Sequence, residues 1–109
     1  MTTENKRNSY RVVYPKIERP SFLVDNVKAP VLDCSENGLR VEVPTGHRCP
    51  RMGETVSGHV RLRDGREIAV EGDVVRVRDQ EIGLRLARPG IPLAVIFAEQ
   101  RYLLTRYPT

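Results

Sequence analysis

Leu39, Val41 and Val43 alternate with Arg40 and Glu42, so a half-buried strand begins directly after Gly38. The same period of two recurs along most of the chain. Ser21–Val24 and Val27–Leu32 are short apolar runs separated by Asp25-Asn26, which reads as two strands joined by a turn. Val56, Gly58, Val60 and Leu62 share one strand face, with Ser57, His59, Arg61 and Arg63 on the other. Asp64-Gly65 follows at once and predicts a two-residue type I′ hairpin, because Gly accepts the positive φ that turn needs. Ile68, Val70, Gly72 and Val74 make the return strand. Val75 and Val77 then fall on the opposite parity, which predicts a β-bulge near Gly72 or Asp73. Asp79-Gln80 turns the chain again into Ile82, Leu84 and Leu86.

The period changes after Pro89-Gly90. Leu93, Ile96, Phe97, Gln100, Leu103 and Leu104 lie at helical spacing behind Pro92, which predicts a helix over 91–107 with that stripe packed on the core. Tyr102 and Tyr107 are expected at its surface, open to contact with another protein. Pro20 and Pro30 each lack a ladder donor and belong at strand edges or bulges, and Pro44–Gly53 reads as a loop. Hairpin follows hairpin with no helix between, which argues against a parallel α/β sheet. The fold class is all-β with a terminal helix: six antiparallel strands over 16–88 closing into a small barrel capped by the C-terminal helix. Residues 1–14 are expected as a mobile, polar N-terminal tail.

Length and charge narrow the function. A chain of 109 residues fits one domain able to fold without metal or disulfide support. Its net charge of +4 rests on fifteen Arg and three Lys, and Arg offers a planar fork that binds phosphate or a guanine edge bidentately. No apolar run is long enough to span a bilayer and no secretory signal is visible, so a cytoplasmic protein without membrane insertion is expected. Cys34 and Cys49 are then expected as thiols. With His47 and His59 they lack metal-clamping spacing, and no nucleophile–base–orienter set stands out, so no metal, cofactor or catalytic residue is expected and the protein is not read as an enzyme. Arg61, Arg63, Arg76, Arg78 and Arg85 form an outward basic face. A basic barrel binding single-stranded nucleic acid is the alternative function. The chain has no Trp, two Phe and four Tyr, too few stacking platforms to favour it, and no specific nucleic-acid partner is expected.

The candidate chemistry is in two short segments. Arg7 and Arg11, four apart, can converge on one ligand in either helical or extended backbone. Asp33 offers a carboxylate to the N1 and N2 donors of guanine, Ser35 a hydroxyl for phosphate or turn capping, and Gly38 a position permitting positive φ and close backbone approach.

Arg7-Asn8-Ser9-Tyr10-Arg11 and Asp33-Cys34-Ser35-Glu36-Asn37-Gly38 match the R-x-x-x-R and D/N-x-S-x-x-G motifs, and with the strand order the chain resembles the PilZ domain, a bacterial receptor module for cyclic di-GMP. The resemblance spans essentially the whole chain. It implies a split-barrel fold and a cyclic di-GMP site formed by Arg7, Arg11, Asp33, Ser35 and Gly38, with the tail wrapped over the ligand. Lys6 precedes the first motif Arg where many members that hold a stacked ligand pair carry another Arg, so Lys6 joins the site and bears on whether one ligand or two are held. The resemblance further implies a stand-alone adaptor, monomer or homodimer, acting in trans on a downstream protein in motility, biofilm or exopolysaccharide output.

Overall fold

The computed structural model describes residues 10–108. Seven strands are present: β1 (Val12–Val13), β2 (Ser21–Val24), β3 (Val27–Cys34), β4 (Gly38–Glu42), β5 (Thr55–Arg61), β6 (Glu67–Arg78) and β7 (Glu81–Leu86). A 3-10 turn at Lys16–Glu18 links β1 to β2, and helix α1 spans Leu93–Arg106. All pairings are antiparallel. The ladder runs β3-β2-β5-β6-β7-β4 and returns to β3, closing a six-stranded barrel with β1 as an extra strand. Closure removes the exposed edges that an open sheet of this size would carry. Because β4 occupies one edge of β3 over Val31–Cys34, β1 takes the other, beyond the stretch paired with β2.

The interior is filled by the alternating apolar positions. Phe22, Val31, Val41, Val60 and Val74 are almost wholly buried, and Ile91 and Ile96 close one end of the barrel over them. Truncating Phe22 to Ala would cost about 3–5 kcal/mol, since a close-packed core relaxes little around a lost ring.

Four details depart from the sequence reading. The described end of the expected tail is folded: Val12 and Tyr14 are buried, and Val12 pairs with Cys34. A two-residue strand is too short to announce itself by periodicity, but it finds a ready edge on β3. At Asp64-Gly65 the loop is three residues long: the Leu62 carbonyl accepts from the Gly65 N–H at 3.0 Å, the Leu62 N–H donates to the Arg66 carbonyl at 2.9 Å, and Gly65 has φ +91°. Gly65 thus supplies one left-handed residue after an ordinary turn instead of half of a type I′ turn. The register shift in β6 falls between Val74 and Arg76, leaving Val75 as the extra residue, while Gly72 and Asp73 remain in register with both neighbours. Finally, α1 is rotated from the expected stripe. It buries Val95, Ile96 and Glu99, while Leu104 is 64% exposed and Phe97 36%. Glu99 faces inward because the buried Tyr14 hydroxyl and the Arg63 guanidinium both donate to its carboxylate.

Candidate functional site

The β3–β4 hairpin ends in the turn Ser35-Glu36-Asn37-Gly38, closed by the Ser35 N–H donating to the Gly38 carbonyl at 2.9 Å. The segment after β7 holds this turn from behind. The Leu86 N–H donates to the Asn37 carbonyl at 2.8 Å and the Ile91 N–H to the Glu36 carbonyl at 3.0 Å. Gly90, at φ +68°, lies so close against the Glu36 carbonyl that no β-carbon would fit. Gly38 itself is not left-handed, contrary to one part of its expected role. Its contribution is space: a β-carbon there would come within 3.4 Å of the Ser35 hydroxyl and 3.7 Å of the Leu84 carbonyl.

That space is the floor of a groove of about 270 Å³ on the outer barrel wall, lined by Tyr10, Arg11, Ser35, Gly38 and Arg85 together with Glu36, Asn37, Val75 and Leu84. Three sequence-predicted residues, Arg11, Ser35 and Gly38, therefore line one groove. Asp33 flanks it without lining it. Strand alternation puts Asp33 on the outer face with Ser35, two residues further along, and its register partners are Val13 on β1 and Arg40 on β4. Its carboxylate is buried and takes a hydrogen bond from Arg40 Nε at 2.7 Å, while Arg40 Nη1 donates to Glu81 Oε1 at 2.9 Å. The hydrogen bond to Asp33 is the leading reason that the Arg40 guanidinium is held above its usual pKa. Lys6 and Arg7 lie outside the described residues. A larger cavity of about 410 Å³ opens at the opposite barrel end, walled by Phe22, Val41, Val56 and Ile82, and contains none of the motif residues.

Arg40, Arg85, Tyr10 and Val75 escaped the site reading. Arg40 was within reach of it, because Gly38 and Arg40 share strand parity and so face outward together. Arg85 stood only in a general basic face, and its place opposite Gly38 on β7 needs the register. Of that basic face, Arg63 is turned away to Glu99 and Arg61 is paired with Glu67.

The groove's tail side is tied to α1. The Tyr10 and Phe97 rings meet edge to face at 5.2 Å, and Gln100 Nε2 donates to the Arg11 carbonyl at 3.3 Å. Beneath them the Tyr14 hydroxyl donates to Glu99 Oε1 at 2.7 Å, and Arg63 donates to Glu99 Oε2 at 2.7 Å. Arg63 also lies over the Tyr102 ring, 3.4 Å from its centroid. Burial drives the Tyr14 phenol well above its ordinary pKa and pushes the Cys34 thiol up to about 12. Further along, Glu18 accepts from the hydroxyls of Tyr107 at 2.7 Å and Tyr102 at 3.3 Å and from Arg106 at 2.9 Å, so both tyrosines are half-buried anchors instead of open contact residues.

The architecture is thus a closed antiparallel barrel with a helix at one end, and its β3–β4 turn carries a glycine-floored groove with Arg11 and Arg85 in its lining. The PilZ domain family model matches residues 5–96, and the chain belongs to that family, whose domains are receptor and adaptor modules. Among solved structures, the chain is similar to the Bacillus subtilis inhibitor of motility, MotI/DgrA, with a TM-score of 0.60 and 18% sequence identity over 88% of this chain. It spans 48% of that protein's length, and the likeness is one of fold. None of the curated proteins compared with the chain matches it.

Proposed function

We propose that this protein is a cyclic di-GMP receptor that acts as an adaptor, with no catalytic step of its own. The observation that carries the reading is the convergence of Arg11, Ser35 and Gly38 on one groove, with Asp33 at its flank, in a member of the PilZ family. Arg11 supplies a guanidinium for phosphate, Ser35 a hydroxyl, Gly38 the open floor, and Asp33 an acceptor for the N1 and N2 donors of guanine. Lys6 and Arg7 complete the cationic lip when the N-terminal segment folds over the ligand. Output passes through the Tyr10–Phe97 and Arg11–Gln100 contacts to α1, and from there to a downstream protein in the cytoplasm.

Calorimetric titration with cyclic di-GMP tests this, with GTP and cyclic di-AMP as controls and Arg7→Ala and Arg11→Ala beside the wild type. Saturable binding of cyclic di-GMP alone, weakened by either substitution, is the expected result. No heat from the wild type, or equal binding by the variants, overturns it.

A further inference from the structure

Arg85 occupies the wall of the groove across from Arg11, with Gly38 between them. It is the antiparallel partner of Gly38 on β7, so its side chain leaves the sheet on the face where Gly38 leaves a gap. Its own register partner on β6 is Asp73, the carboxylate that strand pairing sets directly opposite. Yet among the described residues Arg85 makes no ion pair: Asp73 instead accepts the Thr55 hydroxyl at 2.9 Å, and the Arg85 side chain lines the groove. Among the described residues Arg40, Arg48, Arg61, Arg63, Arg66 and Arg106 are each committed to a carboxylate, whereas Arg11 and Arg85 are not, and of the arginines without an ion pair these two are the ones that line this groove. One carboxylate, that of exposed Glu36, also lies on the groove's rim. Its backbone carbonyl is held by Ile91, which fixes the turn but leaves the side chain free to swing outward.

We infer that Arg85 is a second phosphate-binding residue of the site, gripping the anionic backbone of a cyclic dinucleotide from the side opposite Arg11. The inference rests on the proposed cyclic di-GMP reading and deepens it. A cyclic dinucleotide carries two phosphodiesters on opposite sides of its ring, and two guanidinium groups flanking a side-chain-free floor suit that arrangement. A planar fork makes two parallel hydrogen bonds to one phosphate, which an ammonium on the same strand would not reproduce.

The test is calorimetric titration with cyclic di-GMP of wild type, Arg85→Ala, Arg85→Lys and Arg78→Ala. Arg78 lies on β6, is exposed, and does not line the groove, so its loss lowers the net charge by the same amount. The expected result is a Kd raised about 10- to 100-fold in Arg85→Ala, partial recovery in Arg85→Lys, and about wild-type binding in Arg78→Ala. Equal weakening by Arg85→Ala and Arg78→Ala would reduce Arg85 to bulk charge and overturn the inference, as would unchanged binding by Arg85→Ala. Those outcomes leave the receptor reading standing. A wild type that binds no cyclic di-GMP overturns both.

Discussion

Arg40 holds the buried carboxylate of Asp33 at 2.7 Å while its other arm reaches Glu81 at 2.9 Å, so the carboxylate proposed to read guanine already has a partner within the protein. In the proposed complex a guanine edge displaces or shares that contact, and Glu81 gives Arg40 somewhere to remain. Asp33→Ala is expected to weaken cyclic di-GMP by about 1.5–3 kcal/mol, the contribution of a charged hydrogen bond. The Arg40 side chain is 39% exposed, so solvent screens the pair and the same substitution should lower stability by only about 1 kcal/mol. Calorimetry beside thermal melting checks both, and a large loss of stability with unchanged affinity would refute the assignment of Asp33 to the ligand.

Glu99 is the buried charge of α1, and it joins Tyr14 from the β1 side to Arg63 from the barrel. Glu99→Ala strands a buried phenol and deprives Arg63 of its partner, for an expected loss of about 2 kcal/mol. For a domain of this size that is a fall of about 10 °C in the melting temperature. Circular dichroism melts would measure it, and a shift within error would mean the triad contributes nothing net.

Phe97 is predicted to matter for binding more than for folding. Its ring is partly exposed but forms the edge-to-face contact with Tyr10, one residue before Arg11. Phe97→Ala removes a pair worth about 0.5–1.5 kcal/mol and frees the end of the tail, so the ligand must order more chain. The expected Kd increase is about 2- to 10-fold, with a melting temperature nearly unchanged. Titration of the variant decides it.

The two flanks of the pH range should act through different residues. The Tyr107 hydroxyl, followed by Arg106, holds the Glu18 carboxyl below its ordinary pKa. A depressed carboxyl contributes stability above its unfolded pKa of about 4.3 and loses it as pH falls through the folded value. Glu18→Gln should therefore flatten the acid limb of a stability–pH profile. Tyr14 has the opposite sign, because burial raises its pKa: its contribution is intact below about 10 and disappears as pH climbs above that. Tyr14→Phe should move the alkaline limb and leave the acid limb alone. Thermal melts across pH give both limbs.

Thiol chemistry offers a further check. Cys34 is buried with its thiol pushed up to about 12, whereas Cys49 is only half-buried in the β4–β5 loop. At mild alkaline pH a disulfide reagent should consume Cys49 in the native protein and reach Cys34 only in denaturant, since the thiolate is the reactive form. Fast loss of both thiols would place Cys34 outside the core.

The barrel was readable because its interior is built from single residues that alternate, such as Leu39 and Val41 against Arg40, and a pattern of period two survives without knowledge of partners. The floor and one lip of the groove were readable too, through Ser35, Gly38 and Arg11. Pairing was not. Arg85 meets Gly38 only through the register of β4 with β7, and Val75 bulges because β6 must curve around the closing barrel. Glu99 shows the limit from another direction. On a helical wheel its charge argues for solvent, yet Tyr14 and Arg63, 85 and 36 residues away in sequence, reverse that preference.

The turn at Ser35–Gly38 is stitched on two sides, to itself through Ser35 and to the β7–α1 segment through Asn37 and Glu36. Its length is consequently fixed by three bonds that must all close together. One residue added or removed would misalign the two carbonyls with Leu86 and Ile91, and would reach the entrance of the helix as well as the groove. In this chain the spacing within Asp33-Cys34-Ser35-Glu36-Asn37-Gly38 is a mechanical tolerance of the barrel's end, and a loop-length variant should fail by loosening α1 before it is ever asked to bind anything.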